Sequence, residues 1–112
     1  NYDSASINET AEIIGRTGLK ARFMVDCSHA NSGKSHIQQE VVCRDVANQI
    51  AQGENRIIGL MLESNLVAGR QNVEQGKALV YGQSITDACM AWDNSEILLR
   101  ELASAVRTRR LK

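Results

Sequence analysis

Three side chains able to hold a cation stand beside short apolar runs: His29 in "SHAN", Glu63 in "ESN" and Asp87 in "TDAC". One imidazole and two carboxylates make a good ligand set for a divalent transition metal. The carboxylates offset the ion's charge, and the neutral imidazole favours Mn, Fe, Co or Zn over Mg and Ca. Each residue alone also has an ordinary reading. His29 suits a hydrogen-bonded loop, Glu63 a helix cap or solvated acid, and Asp87 a turn. The constellation argues more than any member. Separations of 34 and 24 residues mean that nothing local joins the three. Only the fold can bring them together.

The neighbours are weaker candidates. Asp26, within the tail of the apolar run, suits a carboxylate standing behind the ligands. Cys27 reads as core rather than nucleophile, and His36 as a solvated residue at a helix start. Lys34 is either a surface lysine or a cation reaching an anionic ligand from the polar loop. There is no G-x-G-x-x-G, Walker loop or G-x-S-x-G.

The elements that must position these groups follow from periodicity. A first helix is capped by Asp3 or Ser4, carries Ile7, Ala11 and Ile14 on one face, and stops near Gly15 or Gly18. Residues 21–27 form an apolar run of strand length. A second helix covers about 37–51, with Val42, Val46 and Ile50 repeating and Gly53 beyond it. The run "RIIGLML", 56–62, reads as a strand buried on both faces, as in parallel sheets. A long polar stretch, 63–77, follows, and 79–85 is a candidate third strand. The last helix begins with a capping-box-like Asp93 and Glu96 and buries Leu98, Leu102, Ala105 and Val106. Arg107, Arg109, Arg110 and Lys112 complement its negative end. Alternating strands and helices predict an α/β fold with a parallel sheet. His29, Glu63 and Asp87 each then follow a strand, and parallel strands place those ends at one edge, where such folds bind ligands.

Composition narrows the function classes. The 112 residues fit one domain, and 43% hydrophobic content can supply a core. Zero net charge offers no electrostatic reason for nucleic acid or a charged membrane as partner. No apolar run nears the ~20 residues that span a bilayer. Three cysteines without C-x-x-C spacing suggest neither a disulfide framework nor a zinc ribbon. The expectation is a cytoplasmic protein. The chain opens on "NYDSAS", without methionine or leader, as a piece of a longer protein would.

The segments "MVDCSHANSGK", "IIGLMLESNLVAGRQ" and "YGQSITDACMAWD" resemble, in that order, the bacterial, feedback-regulated class I 3-deoxy-D-arabino-heptulosonate 7-phosphate (DAHP) synthases. The likeness is to their C-terminal part and covers essentially the whole chain. It implies about three βα units plus a leading helix, the C-terminal portion of a (β/α)8 TIM barrel, with residues 1–112 one fragment and no second domain. It implies a parent transferase of the shikimate pathway, in aromatic amino acid biosynthesis. That enzyme condenses phosphoenolpyruvate with erythrose 4-phosphate and releases phosphate. A divalent metal (Mn, Fe, Co or Zn) would polarise the aldehyde carbonyl as a Lewis acid. By motif, His29, Glu63 and Asp87 match three of the family's metal ligands.

The fourth family ligand is a cysteine on an early strand, which would precede Asn1; none of Cys27, Cys43 and Cys89 occupies that position. Most of the Lys and Arg residues that hold the substrate phosphates would also precede residue 1. A full barrel needs ~250 residues. The resulting expectations are a convergent ligand trio, weak metal binding and no turnover by the chain alone. Association is expected too, either as a homo-oligomer or with the missing N-terminal part. The alternative function is a catalytically incompetent, self-associating barrel fragment.

Overall fold

The computed structural model describes residues 1–112. Helix α1 (Ser4–Arg16) starts as expected: the Asp3 carboxylate accepts the Ser6 N–H and lies below its usual pKa because of the Ser6 bonds. Ile7 and Ala11 are buried, while Ile14 is only half-buried. Strand β1 (Phe23–Asp26) leads into a one-turn helix, α2 (His29–Ser32), which periodicity did not suggest. Helix α3 (His36–Ala51) matches the second expected helix and is capped by Ser35, whose Oγ accepts the Gln38 N–H at 3.3 Å. Strand β2 (Ile57–Met61) pairs with β1 in parallel. The minimal strands β3 (Ser64–Asn65) and β4 (Met90–Ala91) form a second parallel pair, and α4 (Trp92–Arg110) closes the chain.

The core lies between the β1–β2 ladder and the helices α3 and α4. Val25, Cys27, Val42, Cys43, Val46, Ile50, Ile57, Met90 and Leu98 are all buried, with Ile7 joining from α1. Fully burying one such aliphatic side chain contributes roughly 1.5–3 kcal/mol. Leu98 and Ala105 form the buried stripe of α4, flanked by Leu102 and Val106 as the spacing predicts. Cys27 is a core residue. Its contact with Cys43 and its burial push the thiol far above the ordinary range, which leaves it inert.

Three expectations need correction. The candidate third strand, 79–85, is not one. Leu79, Val80, Tyr81 and Ile85 are exposed, and a turn at Tyr81–Gly82 interrupts the run. Gly82 has φ +81°, and a Cβ there would lie 2.7 Å from the Leu66 Cβ, so the chain folds back instead of extending. Beyond β2 the strands are β3 and β4, which pair with each other and not with β1 or β2, and Met90 of β4 is buried. Nor is β2 buried on both faces: Ile57 is covered, but Ile58 is 60% exposed. On the neighbouring strand Met24 is exposed as well, its side chain lying across Gly59. Finally, the last helix begins at Trp92 with Ala91 at the cap, so Asp93 lies inside the first turn. There it acts through the helix dipole and not as a cap.

One polar clamp ties the edge of the fold together. The Glu54 carboxylate takes the Arg56 backbone N–H and Nε at 2.8 Å each and Nη2 at 2.5 Å. Arg56 reaches on to Asn8 of α1, and Arg109 of α4 donates to the Glu54 carbonyl. The Arg56 bonds hold the Glu54 carboxyl below the usual glutamate range. A depressed carboxylate contributes stability that is full above its unfolded value, about 4.3, and is lost as pH falls through the folded value. Glu54→Gln is therefore expected to cost about 1 kcal/mol near neutrality, with the difference from wild type vanishing in strong acid. Urea melts of both chains at pH 6.5 and pH 3 measure this; an equal deficit at both values would mean that the charge contributes nothing.

Candidate metal centre

His29, Glu63 and Asp87 meet at one edge of the fold. One ligand atom from each lies within 4.8 Å of the other two. His29 Nε2 is 3.1 Å from Glu63 Oε1 and 3.9 Å from Asp87 Oδ2. The route to this meeting is partly the expected one. His29 follows β1 and opens α2, and Glu63 lies between β2 and β3. Asp87 precedes its strand instead of following it. It arrives on the long segment between β3 and β4, three residues before Met90.

Each residue is held by its surroundings. His29 has φ +47°, an uncommon left-handed conformation for a non-glycine residue. Its Nδ1 lies 2.8 Å from Asp26 Oδ2 and 2.8 Å from Ser28 Oγ. Asp26 is fixed in turn, because its Oδ1 accepts the Ser28 hydroxyl at 2.6 Å and the Ser28 N–H at 2.8 Å. Anchoring Nδ1 to a carboxylate leaves Nε2 facing Glu63 and Asp87, the arrangement by which a second carboxylate orients a ligand imidazole. Asp26, at the end of β1, thus stands behind the His29 ring.

The segment carrying Asp87 is braced by side chains acting on backbone. Gln71 spans the Val80 N–H and the Val80 and Gln83 carbonyls at 2.8–2.9 Å. Gln83 donates to the Ala68 carbonyl. Arg70 Nε donates to the Thr86 carbonyl at 2.8 Å, one residue from Asp87. The Gly69 and Cys89 backbones exchange two hydrogen bonds. Lys34 Nζ lies 3.8 Å from Asp87 Oδ1, the one Lys or Arg side chain within ion-pair distance of the three. His36 sits away from the cluster, at the first position of α3.

Electrostatics fit a cation. The Asp26 bond raises the His29 pKa, and the charges of Glu63, Asp26 and Asp87 add to the shift, while desolvation opposes it. For Asp26 burial acts upward, yet the Ser28 and His29 bonds outweigh it and lower the pKa. Positive charge at Nε2 is thus favoured, and a proton and a metal ion compete for the same nitrogen. The donor set itself passes the test of fit: a neutral nitrogen and two anionic oxygens, oriented from behind and converging.

Residue type and spacing did not reveal Gln39. It lies on the buried side of α3, 1% exposed, and its Oε1 accepts the Glu63 N–H at 2.9 Å. The signal was present: Gln39 precedes Val42, Cys43 and Val46 at helical spacing, a polar residue on an apolar stripe.

Fold and site together define an α/β protein with a carboxylate–imidazole centre beside its parallel strands. The profile of the DAHP synthetase I family matches residues 1–100, and the chain belongs to that family. It is similar to the Phe-sensitive phospho-2-dehydro-3-deoxyheptonate aldolase of Escherichia coli K12, at 51% identity over 98% of this chain and 31% of the relative. The phospho-2-dehydro-3-deoxyheptonate aldolase of Haemophilus influenzae is also 51% identical, over 98% of this chain and 30% of the relative. Among solved structures, the phospho-2-dehydro-3-deoxyheptonate aldolase of Francisella tularensis superposes with a TM-score of 0.92 at 38% identity, covering 97% of this chain and 31% of that one. The chain therefore spans about 31% of the length of these relatives.

Proposed function

We propose that this chain is the C-terminal part of a 3-deoxy-7-phosphoheptulonate synthase barrel and carries three of its metal ligands. On this reading residues 1–112 are one unit of a (β/α)8 barrel, and the whole protein joins phosphoenolpyruvate to erythrose 4-phosphate. The observation that carries it is the convergence of His29, Glu63 and Asp87 from three separate segments, in a member of this family.

The chain's own residues have definite parts. His29 Nε2 and the carboxylates of Glu63 and Asp87 would hold a divalent ion of the Mn, Fe, Co or Zn type. Such an ion, when bound, supplies Lewis-acid polarisation of an aldehyde carbonyl. Asp26 keeps the His29 ring turned so that Nε2 faces the site. Arg70, Gln71 and Gln83 hold the segment that brings Asp87 to it. Lys34 places positive charge at the rim, beside Asp87. Two phosphorylated substrates need more cationic partners than this single lysine, so the rest of the barrel must supply them.

A second reading, a self-associating fragment without activity, is favoured by one observation: the exposed apolar sheet face at Met24 and Ile58. A chimera separates the two. The chain replaces the segment it aligns with in the Escherichia coli relative, and phosphate release from phosphoenolpyruvate is followed with Mn2+ and erythrose 4-phosphate. Turnover is expected from the chimera, its loss on Glu63→Gln, and none from the 112-residue chain alone. A folded, metal-loaded chimera without activity would sink the first reading; turnover by the chain alone would sink the second.

A further inference from the structure

The junction between β2 and β3 is fixed by a side chain from the neighbouring helix. β2 ends at Met61, so the Glu63 N–H falls outside the β1–β2 ladder. Gln39 Oε1 accepts it at 2.9 Å, and the Glu63 carbonyl accepts the Met90 N–H at 2.9 Å. A buried backbone donor without a partner is costly. Burying an amide side chain on an apolar stripe is costly too, and a methionine would pack there without that cost. The first turn of α3 is also tied to the segment that carries His29. Gln39 N–H donates to the Ser35 carbonyl at 3.2 Å, Ser35 N–H to Ser32 at 3.1 Å, and Lys34 N–H to the His29 carbonyl at 2.9 Å. One helix start thus connects two members of the trio.

We propose that Gln39 is a positioning residue: it sets Glu63 in register with His29, so that the carboxylate faces Nε2. The proposal rests on the reading of the trio as metal ligands. Three readouts on the full 112-residue chain test it, the His29 ring-nitrogen resonances among them. Hydrogen exchange by NMR follows the Glu63 amide, and paramagnetic broadening by Mn2+ follows ion affinity. Gln39→Met keeps the length and apolar bulk but removes the acceptor. It is expected to speed exchange at Glu63 at least tenfold, shift the His29 ring-nitrogen resonances, and weaken Mn2+ binding about tenfold, the scale found for outer-sphere partners. Gln49→Met is the control. Gln49 is another buried glutamine of α3, bonded to the Tyr2 carbonyl and Asp45. Its loss is expected to lower the thermal midpoint and leave Glu63 exchange and Mn2+ affinity unchanged.

A Gln39→Met chain that melts earlier yet binds Mn2+ like wild type, with unmoved His29 resonances, would make Gln39 structural only and overturn the proposal. If Glu63→Gln and wild type bind Mn2+ equally, the metal reading fails instead. The exchange rate at Glu63 and the His29 resonances then decide on Gln39 by themselves. Where Gln39→Met does not fold, Gln39→Asn, too short to reach Glu63, is read the same way.

Discussion

His29→Ala is expected to weaken Mn2+ binding by the chain at least 100-fold, about 2.7 kcal/mol, from a wild-type affinity already weaker than micromolar. The weakness follows from the site. Its three donors are partly open to water, with the imidazole 43% exposed. Two carboxylates must also be kept close together before any ion offsets their repulsion. Three ligands can hold a metal when preorganised, and here the preorganisation is uneven. His29 is locked by Asp26 and Ser28, whereas Asp87 rides on a long irregular segment. Removing the only nitrogen donor, which is also the best-held one, leaves two acids on separate segments. Asp26→Asn should fall between, because it loosens the ring but keeps Nε2, and His36→Ala should match wild type. Titration calorimetry with Mn2+ measures all four. A nanomolar wild-type constant would contradict the argument from exposure, and an unchanged constant in His29→Ala would remove the site.

How much of this was legible beforehand differs by element. The helices were written in their stripes: Val42, Val46 and Ile50 for α3, and Leu98, Leu102 and Ala105 for α4, each repeating at helical spacing. The strands β1 and β2 were visible as short apolar runs between turn residues. The segment from Ser64 to Cys89 was not legible, for a physical reason. Its order comes from side chains bonding to distant backbone, as Gln71 does across nine and twelve residues. Such bonds leave no period in the sequence. The run 79–85 looked like a strand because it is apolar, but Gly82 turns it back against Leu66. The candidate trio was legible as residue types and motifs, and the fold brings its three members together. The approach of Asp87, ahead of its strand, and the bond from the Glu63 N–H to Gln39 both depend on packing between elements remote in sequence.

The chain alone is expected to sediment at micromolar concentration as a dimer or larger species, never as a well-folded monomer. Its surface gives the reason. A compact protein of 12.3 kDa should expose about 6,100 Å2, and this one exposes 7191 Å2. The radius of gyration tells the same story: 16.4 Å against about 13 Å for a compact chain of this length. The smallest extent is only 18 Å, about one sheet with helices on one side. The excess of roughly 1,100 Å2 matches or exceeds the ~800 Å2 per partner of a standard interface. Apolar side chains contribute to it: Met24, Ile58 and Met61 lie exposed on the two-stranded ladder. That ladder also ends in unpaired backbone donors and acceptors that invite a further strand. At ~25 cal/mol per Å2, covering several hundred Å2 of it gains on the order of 10 kcal/mol, enough to offset much of the ~4–15 kcal/mol lost in joining two chains. Net domain stability is itself only ~5–15 kcal/mol, so leaving this face wet matters to folding as well. Ile58→Lys places a charge on this exposed surface, at a side chain that is 60% exposed and outside the buried core, and should shift the population toward smaller, less stable species. Analytical ultracentrifugation with parallel urea melts reads both. A monomeric wild type that unfolds cooperatively, or an Ile58→Lys chain that associates as strongly as wild type, would show that this face is not what draws the chains together.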